Sequence, residues 1–349
     1  MKVARLHGLG DVRLHEEPAP VAVDGESLVR VTAVGLCGSD LHWFGEGGIG
    51  DAQLSEPLVL GHEMAGVVEG GPSHGRRVAI DPAWPCGHCE DCLRGHRNLC
   101  RAVRFAGHGR NDGGLRELMA WPDHLLHPVP DSISDADTAM LEPLGVALHA
   151  HDLARPRAAE TVAVIGCGPI GLCLVQLARA TGAATVIAVE PLEHRRAAAA
   201  AMGADVVLDP GAGSGSSHVT AQVTAQVTAA IADATGGRGV DVAFEVAGND
   251  HAVALAVEAA APGGQVILAG IPGEDTTSFP ASVARRKGLT LKLSRRMQEM
   301  YPRTIRLVDR GLVDVRSVVT HTFALDDVAE AFATADARTG LKVVVSPSA

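Results

Sequence analysis

From about residue 160 onward the chain alternates short apolar runs with longer stretches whose apolar residues recur at helical spacing. Thr161-Val162-Ala163-Val164-Ile165 gives way to Leu172-Cys173-Leu174-Val175-Gln176-Leu177-Ala178, and Thr185-Val186-Ile187-Ala188-Val189 opens the next cycle. Alternation of this kind predicts a parallel sheet, whose strands read as unbroken apolar runs because helices cover both faces. Further strands are predicted at 206–208, 240–244, 265–268 and 289–292, which gives six in all and a doubly wound order.

The first 150 residues or so have a different texture. Glycine and proline punctuate short β-like runs such as Leu28-Val29-Arg30-Val31 and Arg77-Val78-Ala79-Ile80, which predicts a strand-rich, loop-laden domain. The last stretch mixes helix and strand, ends in Val343-Val344-Val345, and is expected to rejoin that first domain. The expected division is 1–152 completed by 297–349, with 153–296 as a second domain. One repetitive stretch, Val219-Thr220-Ala221-Gln222 echoed at 223 and 227, follows the Gly/Ser-rich linker 211–217 and reads as a stripe of an amphipathic helix.

Composition narrows the function. The 349 residues are 46% hydrophobic and 20% charged, enough for two packed cores and too apolar for a disordered chain. A net charge of -11 would repel a phosphate backbone, so nucleic acid is not an expected partner. Met1-Lys2-Val3-Ala4-Arg5 does not open a signal peptide, and no apolar run is long enough to span a bilayer. The expectation is a cytoplasmic protein without a membrane partner. In that reducing compartment, four of the seven cysteines crowded between 86 and 100 point to metal rather than disulfides.

The strand at 161–165 runs straight into Gly166-Cys167-Gly168-Pro169-Ile170-Gly171 and then into a helix. In this context the G-x-G-x-x-G pattern is a dinucleotide fingerprint: a tight turn, room for a pyrophosphate, and close helix-strand packing, with the helix N-terminus attracting the anion. The second strand ends at Glu190, where a carboxylate can accept hydrogen bonds from the adenosine ribose. An acid there repels the 2′-phosphate of NADP, so NAD is favoured, although Arg195 and Arg196 stand nearby. Cys167 and Cys173 read as buried small residues.

Cys86, Cys89, Cys92 and Cys100 form C-x2-C-x2-C-x7-C. Four thiolates close a tetrahedron around zinc and leave no open position, which is the signature of a structural site; an iron-sulfur cluster is the rival reading. A scattered second group comprises Cys37, the pair His62-Glu63, and Glu142. Catalytic zinc takes three ligands of mixed N, S and O type and keeps one place open. Singly, these residues read as a packed thiol, a turn histidine and a helix-start acid. Their joint context changes the odds.

That context resembles the medium-chain zinc-dependent alcohol dehydrogenases over nearly the whole chain, and within them the sorbitol (L-iditol/polyol) dehydrogenase branch. Gly38-Ser39-Asp40-Leu41-His42, Gly61-His62-Glu63, the four-cysteine lobe, Leu141-Glu142-Pro143-Leu144 and Thr320-His321 carry the likeness. The resemblance implies an α/β chain with a GroES-like catalytic domain and a Rossmann cofactor domain. It implies two zinc ions, NAD, a polyol or sugar substrate, and a homo-oligomer, tetramer or dimer, built through the edge strand 289–294. It further implies that Cys37, His62 and Glu142 lie at the catalytic zinc, with Glu63 a direct or exchangeable ligand, and makes Ser39, with His42 near it, a proton relay. Gly166, Gly168, Pro169, Ile170, Gly171, Glu190, Arg195, Val246, Ala269, Gly270, Ile271 and Arg296 would lie along the cofactor. Trp43, and Ser294-Arg295 before Arg296, depart from that branch where substrate would be read.

Three other readings stay open: a related zinc enzyme acting on L-idonate, L-threonine, glucose or a simple secondary alcohol; a zinc-independent quinone-reducing relative; and a cofactor-binding structural protein of the crystallin type.

Overall fold

A computed structural model describes residues 1–211, 221–273 and 275–348. Two compact units emerge: one of residues 1–145, 298–311 and 315–349, the other of 146–297 and 312–314. Among the described residues no helix is long and apolar enough to cross a membrane.

In the first unit a seven-stranded sheet carries the core. Its order is Leu126–Pro128, Arg77–Ile80, Glu63–Glu69, Glu26–Gly35, Lys342–Ser346 and Val319–Ala324, with Leu118–Pro122 also pairing with Glu26–Gly35. Alternating residues of these strands, such as Val29, Val31, Met64, Val68, Val78 and Ile80, meet in one apolar cluster, as the period-2 pattern requires. The C-terminal strand does enter this sheet, placing Val344 opposite Gly35. The helix Tyr301–Asp309 is held by its own aromatic ring: Tyr301 stacks on His127 at 4.6 Å and donates its hydroxyl to the Ile80 carbonyl at 3.1 Å.

The second unit is the expected parallel sheet. Six strands run in the order Val206–Leu208, Thr185–Val189, Thr161–Ile165, Val240–Glu245, Ala260–Leu268 and Thr290–Leu293. The order reverses between Thr161–Ile165 and Val240–Glu245, which makes that point the topological switch of a doubly wound fold. Several boundaries differ from the sequence reading. The fifth strand starts at Ala260 rather than 265 because Ala260 still pairs with Val240 across a register shift, and the sixth is displaced by one residue. Val227 is buried in the helix Ala221–Ala234, as its stripe required, whereas Val219 and most of the 211–217 linker lie outside the described residues.

Candidate metal centre and dinucleotide site

Cys37, His62 and Glu63 collect where the strand ending at Gly35 lies in register between two others. Glu63 opens its strand opposite Gly35, Val344 lies on the other side of Gly35, and the chain leaves Gly35 through Leu36 to Cys37. Cys37 then caps the helix Gly38–Glu46, whose Asp40 side chain accepts the Cys37 N–H at 2.9 Å. Local capping and sheet register therefore converge on one spot. The result is that ligand atoms of Cys37, His62 and Glu63 all lie within 4.8 Å of one another.

Two residues without a role in the sequence reading build the surroundings of this trio. Asp40 is fully buried; its carboxylate lies 3.4 Å from Nδ1 of His62 and also accepts the Gly61 N–H at 3.2 Å. A carboxylate behind a ligating imidazole fixes the ring's orientation and tautomer, leaving Nε2 to face an ion. Burial works against the charge on Asp40, but His62 and the Cys37 and Gly61 amides outweigh it and hold the carboxyl below its ordinary range. Lys342, also buried, donates to Glu63 and to the Leu36 carbonyl at 2.9 Å. Removing either member would strand a buried charge.

Glu142 opens the helix Leu141–Ala154 and is buried, but it is not part of the three-residue cluster. It acts on the centre through its charge. Burial above all, and then Glu63, push its carboxyl up to about 7, against the pull of His62 and Lys342. Of the expected set 37, 62, 63 and 142, the first three come together here, and Glu142 lies within electrostatic reach of His62 and Glu63. Ser39 places its Oγ 3.4 Å from Nε2 of His62. His42, on the same helix, pairs with Glu46 at 3.0 Å. Phe105 lies against His62 with ring centroids 5.3 Å apart, and Trp43, only 1% exposed, meets His108 edge-on.

The four cysteines form a second cluster within the same 4.8 Å limit. Backbone amides point at sulfur here: the Cys89 N–H at Cys86 Sγ and the Cys86 N–H at Cys100 Sγ, each at 3.4 Å. Amide donors favour thiolates, and those of His88 and Cys89 bring the Cys86 thiol down to about 6. Both donor sets fit zinc: four thiolates in one, and mixed sulfur, nitrogen and carboxylate in the other. The lobe is anchored to residues 298–299, since Arg97 pairs with Glu299 and His96 meets Gln298 at 3.3 Å.

In the second unit the glycine motif has the geometry its sequence implies. Gly166 has a left-handed φ of 97°, and a side chain on Gly171 would collide with the Gly166 carbonyl. Gly168 caps the helix Pro169–Ala180, with Pro169 and Ile170 in its first turn, and faces open space apart from the Arg195 guanidinium. The carboxylate of Glu190 accepts the Cys167 N–H at 2.7 Å and the Leu192 N–H at 3.0 Å, so it sits against the glycine turn. Arg196 is clipped to Asp209 at 3.1 Å. Val246, Ala269, Gly270 and Ile271 form the turns after the fourth and fifth strands, and Arg296 follows the sixth with a φ of 52°.

Residues 23–131 match the family described as the alcohol dehydrogenase GroES-like domain, and residues 169–310 match the zinc-binding dehydrogenase family. The chain is 32% identical to the sorbitol dehydrogenase of Bacillus subtilis (strain 168), an alignment covering 100% of this chain and 98% of that protein. It is likewise 32% identical to D-xylulose reductase A of Aspergillus oryzae, over 98% of this chain and 95% of that one. Among solved structures, a zinc-binding dehydrogenase of Sinorhizobium meliloti 1021 bound to NADP is 30% identical and superposes with a TM-score of 0.88 over 99% of each chain.

Proposed function

Because this chain belongs to the zinc-binding medium-chain alcohol dehydrogenases, we propose that it transfers hydride from a secondary hydroxyl of a polyol or sugar, of the sorbitol or L-iditol type, to NAD, leaving the ketone. The observation that carries this reading is the Cys37, His62 and Glu63 cluster with Asp40 directly behind the imidazole. Cys37, His62 and Glu63, with Glu142 as an exchangeable neighbour, would hold a catalytic zinc, and the four cysteines a structural one. At the first site zinc would supply Lewis acidity, making a substrate hydroxyl easier to deprotonate.

The chain's own groups then do the following. Asp40 keeps the His62 ring in place, and Lys342 balances the charge of Glu63. Ser39, beside His62, takes the hydroxyl proton outward, and His42 lies on the helix that carries Ser39. Bound NAD would supply the acceptor for the carbon-bound hydrogen and its electron pair, so that the alcohol, having also lost its hydroxyl proton, would end as a ketone. Gly166, Gly168, Pro169, Ile170 and Gly171 would cradle the pyrophosphate, while Glu190 and Arg195 would meet the adenosine half. Val246, Ala269, Gly270, Ile271 and Arg296 would line the nicotinamide half.

The oxygen-rich ligand set suits a chelating polyol better than a simple alcohol. The Glu190 carboxylate favours NAD over NADP, even though one relative binds NADP. We place the protein in the cytoplasm as a homo-oligomer, tetramer or dimer. Supporting assembly through the sheet edge, the terminal strand Thr290–Leu293 leaves Leu293 80% exposed.

The test is a cofactor-reduction screen over C4 to C7 polyols, aldoses and simple secondary alcohols. The reading expects turnover with polyols carrying secondary hydroxyls, and a higher kcat/KM with NAD than with NADP. Turnover confined to primary alcohols, or a preference for NADP, would contradict it.

A further inference from the structure

Glu245 is a buried carboxylate that the proposed chemistry leaves unused. It ends the fourth strand of the parallel sheet, next to the topological switch, and is 1% exposed. Its Oε1 accepts the N–H groups of Ala247 at 2.8 Å and Gly248 at 2.7 Å; burial holds the carboxyl above its ordinary range, and these amides, with those of Gly270 and Asn249, work against that. Its main-chain carbonyl accepts from Ala269 at 2.9 Å and Gly270 at 3.1 Å. One residue thus gathers the turn after its own strand and the turn after the neighbouring strand. The two turns touch, since a side chain on Gly270 would run into Gly248, and one on Gly248 into the Ile271 carbonyl.

Burying a carboxylate costs free energy, and a polar side chain with no charge would close one turn more cheaply. What a carboxylate adds is capacity, because its two oxygens accept several amides at once. Peptide planarity then points the carbonyls of Val246, Ala247 and Ala269 away from the carboxylate. Outward carbonyls are acceptors, and the carboxamide of nicotinamide brings an NH2 donor. In a doubly wound sheet the dinucleotide crosses the switch point, so these turns serve the half opposite the one near Glu190.

We propose that Glu245 is a positioning residue for the nicotinamide half of the cofactor, acting through the turns 246–248 and 269–271 and touching neither cofactor nor substrate. The proposal rests on the reading that the second unit binds NAD. The test uses zinc-loaded full-length protein and compares two ligands, NADH and ADP-ribose, which lacks nicotinamide. In Glu245→Gln one acceptor becomes a donor while size is kept. NADH affinity is expected to fall at least about tenfold, the scale of one hydrogen bond to a charged group, with ADP-ribose affinity unchanged within about twofold. Should that variant fail to fold, Glu245→Asp, which keeps the charge on a shorter arm, is held to the same criterion.

Equal losses for both ligands, or no loss for either, overturn the inference while leaving the cofactor reading intact. A wild-type chain that binds neither ligand overturns the cofactor reading and the inference with it.

Discussion

The four-cysteine lobe and the Cys37, His62 and Glu63 cluster are both compact donor sets of the first unit, yet they are built in opposite ways. The lobe draws its ligands from one short loop, and three of its thiols remain half-buried. The other cluster draws one ligand from a helix cap, one from the first residue of a strand and one from the residue just before it, and is completed by Lys342 from the far end of the chain. The first has four donors of one kind and no vacancy to offer. The second has three mixed donors, a positioned imidazole and a hydroxyl beside it. The lesson is that a loop can hold an ion by itself, whereas an ion that must work needs a sheet to aim its ligands.

Substitutions that affect only one region test this contrast, and they rank by effect on turnover. His62→Ala removes a ligand of the working cluster, and kcat/KM should fall by roughly a thousandfold or more while the lobe keeps its metal. Steady-state kinetics at saturating zinc check it, and a loss under about tenfold would break the assignment. Asp40→Asn keeps the size but weakens the orientation of His62, so activity or zinc affinity should drop about ten- to a hundredfold. A zinc titration of activity measures this; a variant indistinguishable from wild type would mean that the 3.4 Å contact does nothing.

How much of this was legible in the sequence follows the same divide. The lobe could be read directly because its four ligands share one stretch and their spacing is the geometry. The glycine motif was legible for a similar reason, since strand, turn and helix are contiguous from Thr161 to Ala180. The Cys37, His62 and Glu63 cluster is legible only in part. Cys37, His62 and Glu63 read as a zinc set only in the context of the resemblance, and Asp40 carries just a capping signal, three residues after Cys37. Lys342 left no local trace, because only sheet register brings it to Glu63. Glu142 reads in the sequence as a helix-start acid, and its electrostatic reach to His62 and Glu63 comes from the fold, which no spacing rule encodes.

Cys92→Ser takes the contrast to the lobe. Its expected outcome is a lower melting temperature and poorer recovery of folded protein, with kcat per folded chain changed less than about twofold. Thermal unfolding followed by kinetics on the folded fraction decides it, and an unaffected melting temperature would contradict the structural role.

The smallest effect on turnover is expected at Asp81, which sits between the two regions: Arg97 of the lobe acts on it, and its charge acts on Glu142. Burial pushes its carboxyl up to about 7, against an Ala83 N–H and Arg97. The unfolded chain ionises this group at its ordinary value of 3.8, so its stabilising contribution is whole below that pH and is lost as pH rises through about 7. Asp81→Asn should leave turnover unchanged and gain in melting temperature over wild type as pH rises from about 5.5 to about 8.5. A gap that is flat or shrinks with pH would refute this.

The most direct test of the central claim, two separate zinc centres of which only one works, is a zinc count by elemental analysis of purified, zinc-supplied protein. The account predicts two ions per wild-type chain, and one per chain of a soluble Cys37→Ala, His62→Ala variant that has lost turnover. A wild-type chain holding one ion or none, or a variant that still holds two, would contradict it.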